Sequence, residues 1–327
     1  MEIKPKLLQL LCTGKPDNIA LAKALAKGAN VDLVALLKSE NFESLKIHSP
    51  DDLLGFDEWN FEGWGLKNLN IFKYFTHFTQ LNCADNGLSS LEGIEYLQHL
   101  EVLDCAENQL KSIQNIQYLN NLRIFFCGDN QLLHLDGLKS LHQLETLDAS
   151  SNQLSTLPKL SHLHALKELR LCYNNLQSLH ELTTCTSLEV IAFEKNQIKD
   201  LTALKNLNFL KYLNCAENPI QNLDPLVGLE NLESLYAWNT NIKTLSPLFG
   251  LKNLKHLFVS NNNLSSLQGI EKLHNLTNLS ISNNKIRNIS PLFALTNLAE
   301  LHLHRNPIPI AQIQKLKNIF PNIRLYT

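Results

Sequence analysis

The chain has 327 residues, and 29 lysines and arginines against 31 aspartates and glutamates leave a formal net charge of -2 and a pI near 6.6. That balance supplies no basic footprint and argues against nucleic acid and anionic membrane as partners. Residues 1–6 lead into no long apolar segment with a small-residue cleavage site, and no stretch has the length of a membrane span, so a cytoplasmic protein is expected.

In chain order, residues 5–12, 17–27 and 31–39 have helical periodicity, with Asp17 the expected N-cap ahead of Ile19, Leu21, Ala22 and Leu25. Residues 1–56 therefore read as a small helical cap. From residue 57 the apolar register changes. Trp59, Phe61, Leu66, Leu69, Phe72 and Phe75 fall where later segments place their core residues, and Trp64 stands where those segments place an asparagine, which marks a degenerate first repeat.

The asparagines are Asn86, Asn108, Asn130, Asn152, Asn174, Asn196, Asn218, Asn262, Asn284 and Asn306, spaced 22 residues apart or, across the one gap at Thr240, twice that. A fixed period of this size is a stacked array in which each repeat buries its apolar face on its neighbours. With the asparagine as origin, positions minus five and minus three are apolar or small, the spacing of a short strand with one face inward. Downstream, positions plus two, five, eight, eleven and fourteen are apolar, as in Leu88, Leu91, Ile94, Leu97 and Leu100, which reads as a tight 3₁₀-like return path. Proline at plus seven (Pro225, Pro247, Pro291) suits the first turn of a short helix, where its missing N–H does no harm. The asparagine stands where the strand ends and backbone groups face a dry interior; a short side chain with donor and acceptor can serve them on two sides. Thr240, with a single hydroxyl, cannot do all of this.

Cys83, Cys105, Cys127 and Cys215 occupy position minus three and Cys185 replaces a leucine, so these are core residues of a reduced protein rather than a disulfide framework; Cys12 and Cys172 lie outside that core. After Asn306, residues Ile310, Ile313, Leu316, Lys317 and Phe320 have helical spacing and residues 323–326 read as a closing strand, giving a C-terminal cap at 309–327 after repeats at 57–308. That leaves no appended catalytic domain.

The pattern Leu-x-x-Leu-x-Leu-x-x-Asn-x-Leu, as in residues 276–286, resembles the leucine-rich repeat family, and the 22-residue period with segments such as 246–254 and 290–298 is most similar to its bacterial internalin and SDS22-like subclass. The resemblance implies an α/β solenoid: a right-handed superhelix with a concave parallel β-sheet, convex 3₁₀ or short helices and capped ends. It also implies protein binding on the concave face. A phosphatase regulatory subunit and an effector directed at host proteins are the alternatives within that class.

Strand residues six, four and two before the asparagine face away from the core, and the residue just before it lies at the rim. The first repeats place Asp85, Asp104, Glu107, Phe126, Asp129 and Asp148 there, an acidic region suited to steering a basic partner or simply solvated. The middle places Arg170, Cys172, Tyr173, Glu194 and Lys195. Repeats seven to nine place Tyr212, Tyr236, Trp238, His256 and Phe258 on adjacent strands about 4.8 Å apart, either a binding surface or cross-strand aromatic packing. The last repeat adds His302, His304 and Arg305; the two histidines share a face but lack a third metal ligand. There is no Gly-x-Ser-x-Gly elbow, P-loop, His-Glu-x-x-His or Cys-x-x-Cys. The expectation is a monomeric, non-enzymatic, cofactor-free scaffold that grips a protein partner, anchored by Tyr236, Trp238 and Phe258. A thiol enzyme or hydrolase around Cys172 is the alternative of another class.

Overall fold

The computed structural model describes residues 3–40, 42–53 and 60–327. It divides into two compact units, Met1–Asp148 and Ala149–Thr327. The first opens with helices α1 (Ile3–Leu11), α2 (Pro16–Gly28) and α3 (Leu33–Ser39) and continues into parallel strands β1 (Gln80–Asn82), β2 (Val102–Asp104), β3 (Ile124–Phe126) and β4 (Thr146–Asp148), each paired with the next. The second holds β5 (Glu168–Arg170), β6 (Val190–Ala192), β7 (Tyr212–Asn214), β8 (Ser234–Tyr236), β9 (His256–Phe258), β10 (Asn278–Ser280), β11 (Glu300–His302), helix α4 (Ile310–Ile319) and β12 (Arg324–Tyr326), also parallel and in chain order.

Pairing is in register by one period, so Leu81 and Leu103 lie side by side, as do Leu213 and Leu235. These residues, the minus-three cysteines and, Leu157 apart, the five downstream columns of the repeats from Asn86 to Asn284 are buried. The return path is 3₁₀, with Pro225, Pro247 and Pro291 in its first turn. Residues 154–159 lack such a turn: Pro158 comes at plus six rather than plus seven and pushes Leu157 out of the helical region.

Asp17 does not cap α2. Lys15 is the N-cap, Pro16 takes the first helical position and Asp17 lies in the first turn, where its charge suits the dipole; the side-chain cap belongs to Asp32, which accepts from the amides of Val34 and Ala35. The boundary at residues 56 and 57, together with Trp59, lies outside the described residues. Just after it, Asn60 bridges Asn82, and Trp64 packs edge-on against Phe61 at 5.2 Å with the Lys46 ammonium over its ring.

The asparagines form a ladder. Nδ2 of Asn108 donates to the carbonyls of Cys83, Cys105 and Ala106, while its Oδ1 accepts from the Leu88 amide at 2.8 Å. One side chain thus satisfies the turn of its own repeat and the backbone of the repeat before. The residue preceding each origin has φ between 50° and 56°. Asn and Asp visit this left-handed region readily, but Glu107, Tyr173, Lys195, Glu217 and Arg305 are held there too, so the repeat imposes the conformation whatever the residue.

Thr240 breaks the ladder, and its repair lies one repeat upstream. The Thr240 hydroxyl is 3.1 Å from the Ala237 carbonyl and 2.7 Å from Asn262 Oδ1, so nothing on Thr240 serves the Ile220 amide. Ile220 instead donates to the carbonyl of Asn218 at 2.8 Å, across Pro219. The same tight turn recurs over Asn306, Pro307 and Ile308, after which no further repeat supplies an asparagine. Asn-Pro-Ile is therefore the local substitute for a missing downstream acceptor. Thr240→Asn alone should gain little, because Ile220 is already satisfied; in a Pro219→Gln background it should gain about 1 kcal/mol relative to that background. Additive effects in a urea double-mutant cycle would contradict the coupling.

Two further columns stabilise the stack. Position minus seven alternates in charge: Glu101, Arg123 and Glu145 in the first unit, and Lys167, Glu189, Lys211, Glu233 and Lys255 in the second. Arg123 pairs with Glu145 at 2.6 Å, Lys211 with Glu189 and Lys255 with Glu233 at 2.7 Å. Position minus nine carries a second asparagine series, in which Asn231, Asn253, Asn275 and Asn297 donate to the carbonyls of Asn208, Glu230, Lys252 and His274.

Lysine bonding holds the Glu189 and Glu233 carboxyls below their usual range, and Glu189 raises the Lys211 ammonium. A lowered carboxylate contributes stability that is present above its unfolded pKa and lost as pH falls through the folded one; the raised lysine loses its contribution in the alkaline range. Lys211→Glu would set three carboxylates in a row. Its thermal midpoint should fall below wild type at neutral pH and recover with added salt and on acidification; equal midpoints at low and high salt would contradict this.

Candidate functional site

On the solvent side of β7 to β9 the register places Tyr236 directly opposite Phe258, and Tyr212 on its diagonal. The Tyr236 and Phe258 rings stack with centroids 4.8 Å apart and planes 2° from parallel. Tyr212 lies 5.2 Å from Tyr236 on the other flank, and Trp238, beyond the end of β8, meets it edge-on at 5.8 Å. Tyr236 is therefore the hub of four half-buried aromatics. Burial, then the neighbouring Tyr236, pushes the Tyr212 phenol up. Ala216 and Asn214, small residues on the adjoining part of this face, are buried despite pointing away from the core.

The other candidates divide. His256 belongs to β9 but turns to Asn278, with Nδ1 and Oδ1 3.1 Å apart. Glu194 accepts from Asn214 at 2.9 Å, and Arg170 pairs with Glu168 on its own strand. Tyr173 stands in the left-handed conformation, 48% exposed, with the Lys195 ammonium over its ring at 4.9 Å. His302 meets Glu300 at 2.7 Å and stacks on Tyr326 at 4.1 Å, whereas His304 turns to Ser282. The two histidines thus serve different partners, and among the described residues no group of three or more His, Cys, Asp or Glu could hold a metal ion. Tyr326 escaped the column argument because the closing strand lies beyond the last asparagine.

Phe126 belongs to the first unit, where it stands in register between Asp104 and Asp148. Burial pushes the Asp104 carboxyl up, with Glu62 and Asp148 adding repulsion. The strand face of that unit is therefore acidic around Phe126. Asp104, opposite in sign to Glu189, disfavours the fold as pH rises through the carboxylate range.

The cysteines of the repeat core are packing, whereas Cys172 is half-buried. Cys83, Cys105, Cys127 and Cys215 are completely buried and burial pushes their thiols up; among the described residues all seven cysteines lack a disulfide. No helix among the described residues is long and apolar enough to cross a membrane.

Comparison with known proteins agrees with this geometry. A leucine-rich repeat family model, comprising two repeat copies, matches residues 208–250, 230–272, 252–292 and 274–318. No curated protein sequence matches. Among solved structures, internalin InlF of Listeria monocytogenes is 26% identical over 80% of this chain and 78% of its own, with a TM-score of 0.77. Internalin C2 of the same organism is 33% identical over 57% of this chain and 81% of its own, with a TM-score of 0.53. The functional domain of InlJ, also from L. monocytogenes and described as including a cysteine ladder, is 25% identical over 72% of this chain and 51% of its own, with a TM-score of 0.63. The stacked 22-residue repeats, the asparagine ladder and these matches together make the chain a member of the leucine-rich repeat family, with internalins among its structural neighbours.

Proposed function

We propose that this chain is a non-enzymatic protein-interaction scaffold whose partner docks on the solvent face of β7 to β9, the concave face in the leucine-rich repeat fold. The observation that carries the reading is the aromatic cluster around Tyr236. Four large rings left half-exposed on one sheet face are costly in water and have the composition of an interface hot spot. They stand on short strands fixed by core leucines and a buried asparagine ladder, so little ordering entropy opposes docking. Tyr173, Arg170 and Glu194 extend the surface with polar groups, and the partner is a folded or extended polypeptide with apolar side chains to set against the rings. A regulatory role of the SDS22 kind and a host-directed one both fit such a surface.

A photo-reactive phenylalanine analogue placed at Tyr236 tests the location directly. It should capture a partner that the same analogue at Tyr118, an exposed residue on a 3₁₀ turn, does not. Capture of that partner from Tyr118 and not from Tyr236 would move the site off the strand face.

A further inference from the structure

Between α1, the start of α2 and the 3₁₀ turn Asn70–Tyr74 lies a cleft of about 400 Å³, within the range of small-molecule sites. Lys15, Lys73, His77, Gln9 and Thr76 line it, with Tyr74, Cys12 and Thr13 completing the walls. No carboxylate is among these residues. Glu40, which touches two of these residues, is already engaged: its Oε2 accepts from the Tyr74 hydroxyl at 2.6 Å and pairs with Lys73 at 3.2 Å. The Tyr74 bond, aided by Lys73, keeps Glu40 ionised. Lys15 has no ion pair among the described residues, and its charge reaches His77, whose imidazole is held below its usual range by burial and then by that lysine.

Lys15, Lys73 and His77 therefore line one cleft, with the Lys73 charge shared with Glu40. The Thr13 hydroxyl is spent on the Leu10 carbonyl, so the donors left facing a guest are the two ammonium groups, the Gln9 amide, the Thr76 hydroxyl and His77. The volume would hold about a dozen waters, more than one oxyanion fills, and the Tyr74 ring and the buried Cys12 offer apolar wall to the remainder. This chemistry differs from that of the aromatic face.

We propose that this cleft binds a small organic phosphate monoester, its dianion held by Lys15 and Lys73 and its organic body against Tyr74. The unpaired Lys15 ammonium, the Lys73 ammonium shared with Glu40 and several further donors match a phosphate with three terminal oxygens better than a carboxylate with two. Calorimetry on the full chain at low salt, with phenyl phosphate, phenylacetate and inorganic phosphate as probes, tests it. Phenyl phosphate should bind saturably and most tightly of the three. Lys15→Gln should weaken it about tenfold and Lys15→Arg should restore most of the loss. Lys15 is exposed, so an unchanged thermal midpoint would show that the variant is folded; His77→Ala, weakened several-fold, supplies a second reading. Heats that do not saturate, or equal affinity in wild type, Lys15→Gln and His77→Ala, would overturn the site. Tighter binding of phenylacetate than phenyl phosphate would overturn the phosphate assignment. Tyr236→Ala should leave the binding intact, which separates this result from the fate of the strand-face proposal.

Discussion

Asn196→Ala should destabilise the chain by about 3–5 kcal/mol in urea, more than loss of a core methyl group and enough to leave the second unit partly unfolded at ambient temperature. Asn196 is buried, and its Nδ2 donates to the carbonyls of Leu171, Phe193 and Glu194 while its Oδ1 accepts from the Leu176 amide at 2.9 Å. Alanine leaves one N–H and two close carbonyls without partners in an interior that water does not reach; each such group costs about 1–3 kcal/mol. The loss is not confined to one repeat, since Leu171 and Leu176 belong to the repeat before, and coupling between neighbours holds a solenoid together. Asn196→Asp discriminates this account from simple cavity formation. It keeps the volume and the acceptor for Leu176, but turns both donors into lone pairs against carbonyls. Those carbonyls would raise its folded pKa, so its stability should be greatest in acid and fall as pH rises above the unfolded carboxylate pKa. A flat pH response equal to that of Asn196→Ala would exclude the electrostatic part of the argument.

The same ladder explains what could be read in advance. The 22-residue count fixes which residues are core because every strand and every turn repeats at the same phase, and a slip of one residue would turn Leu213 or Leu235 to solvent. That phase also placed Tyr212, Tyr236, Trp238 and Phe258 on one face. It could not say which outward residues touch, because lateral reach depends on rotamers: His256 turns to Asn278, and His302 to Glu300 and Tyr326. Position minus one was legible as a rim but not as left-handed backbone, since Glu107, Lys195 and Arg305 give no glycine or asparagine signal. The alternating charges at minus seven gain partners only through the parallel register, which sets each beside its opposite. The α2 cap went to Lys15 because Pro16 fits the first helical position and Asp17 behind it can only favour the dipole. In each case a one-dimensional pattern gives the phase and the folded neighbour gives the pairing.

Tyr236→Ala and Trp238→Ala should each weaken binding of the captured partner by about 30- to 1,000-fold, the effect of removing a hot-spot residue of about 2–4 kcal/mol. The double variant should lose less than the sum, because the two rings touch edge-on at 5.8 Å and truncating one already loosens the other. Stability supplies the control. Tyr236 is half-buried between Tyr212 and Phe258, so its removal should cost about 1 kcal/mol in urea through lost ring contacts, whether or not a partner exists. Packing alone therefore predicts a stability loss with unchanged affinity, and a docking surface predicts both. Tyr236→Phe refines the test: it keeps the stack on Phe258, so any affinity it loses belongs to the hydroxyl, and retention of both properties would identify the ring face as what the partner covers. Phe126→Ala lies among the aspartates of β2 to β4 and should alter affinity far less than either substitution. If affinity proves insensitive to Tyr236 and Trp238 but falls with Phe126, the contact belongs to the acidic strands and a basic partner is the better fit.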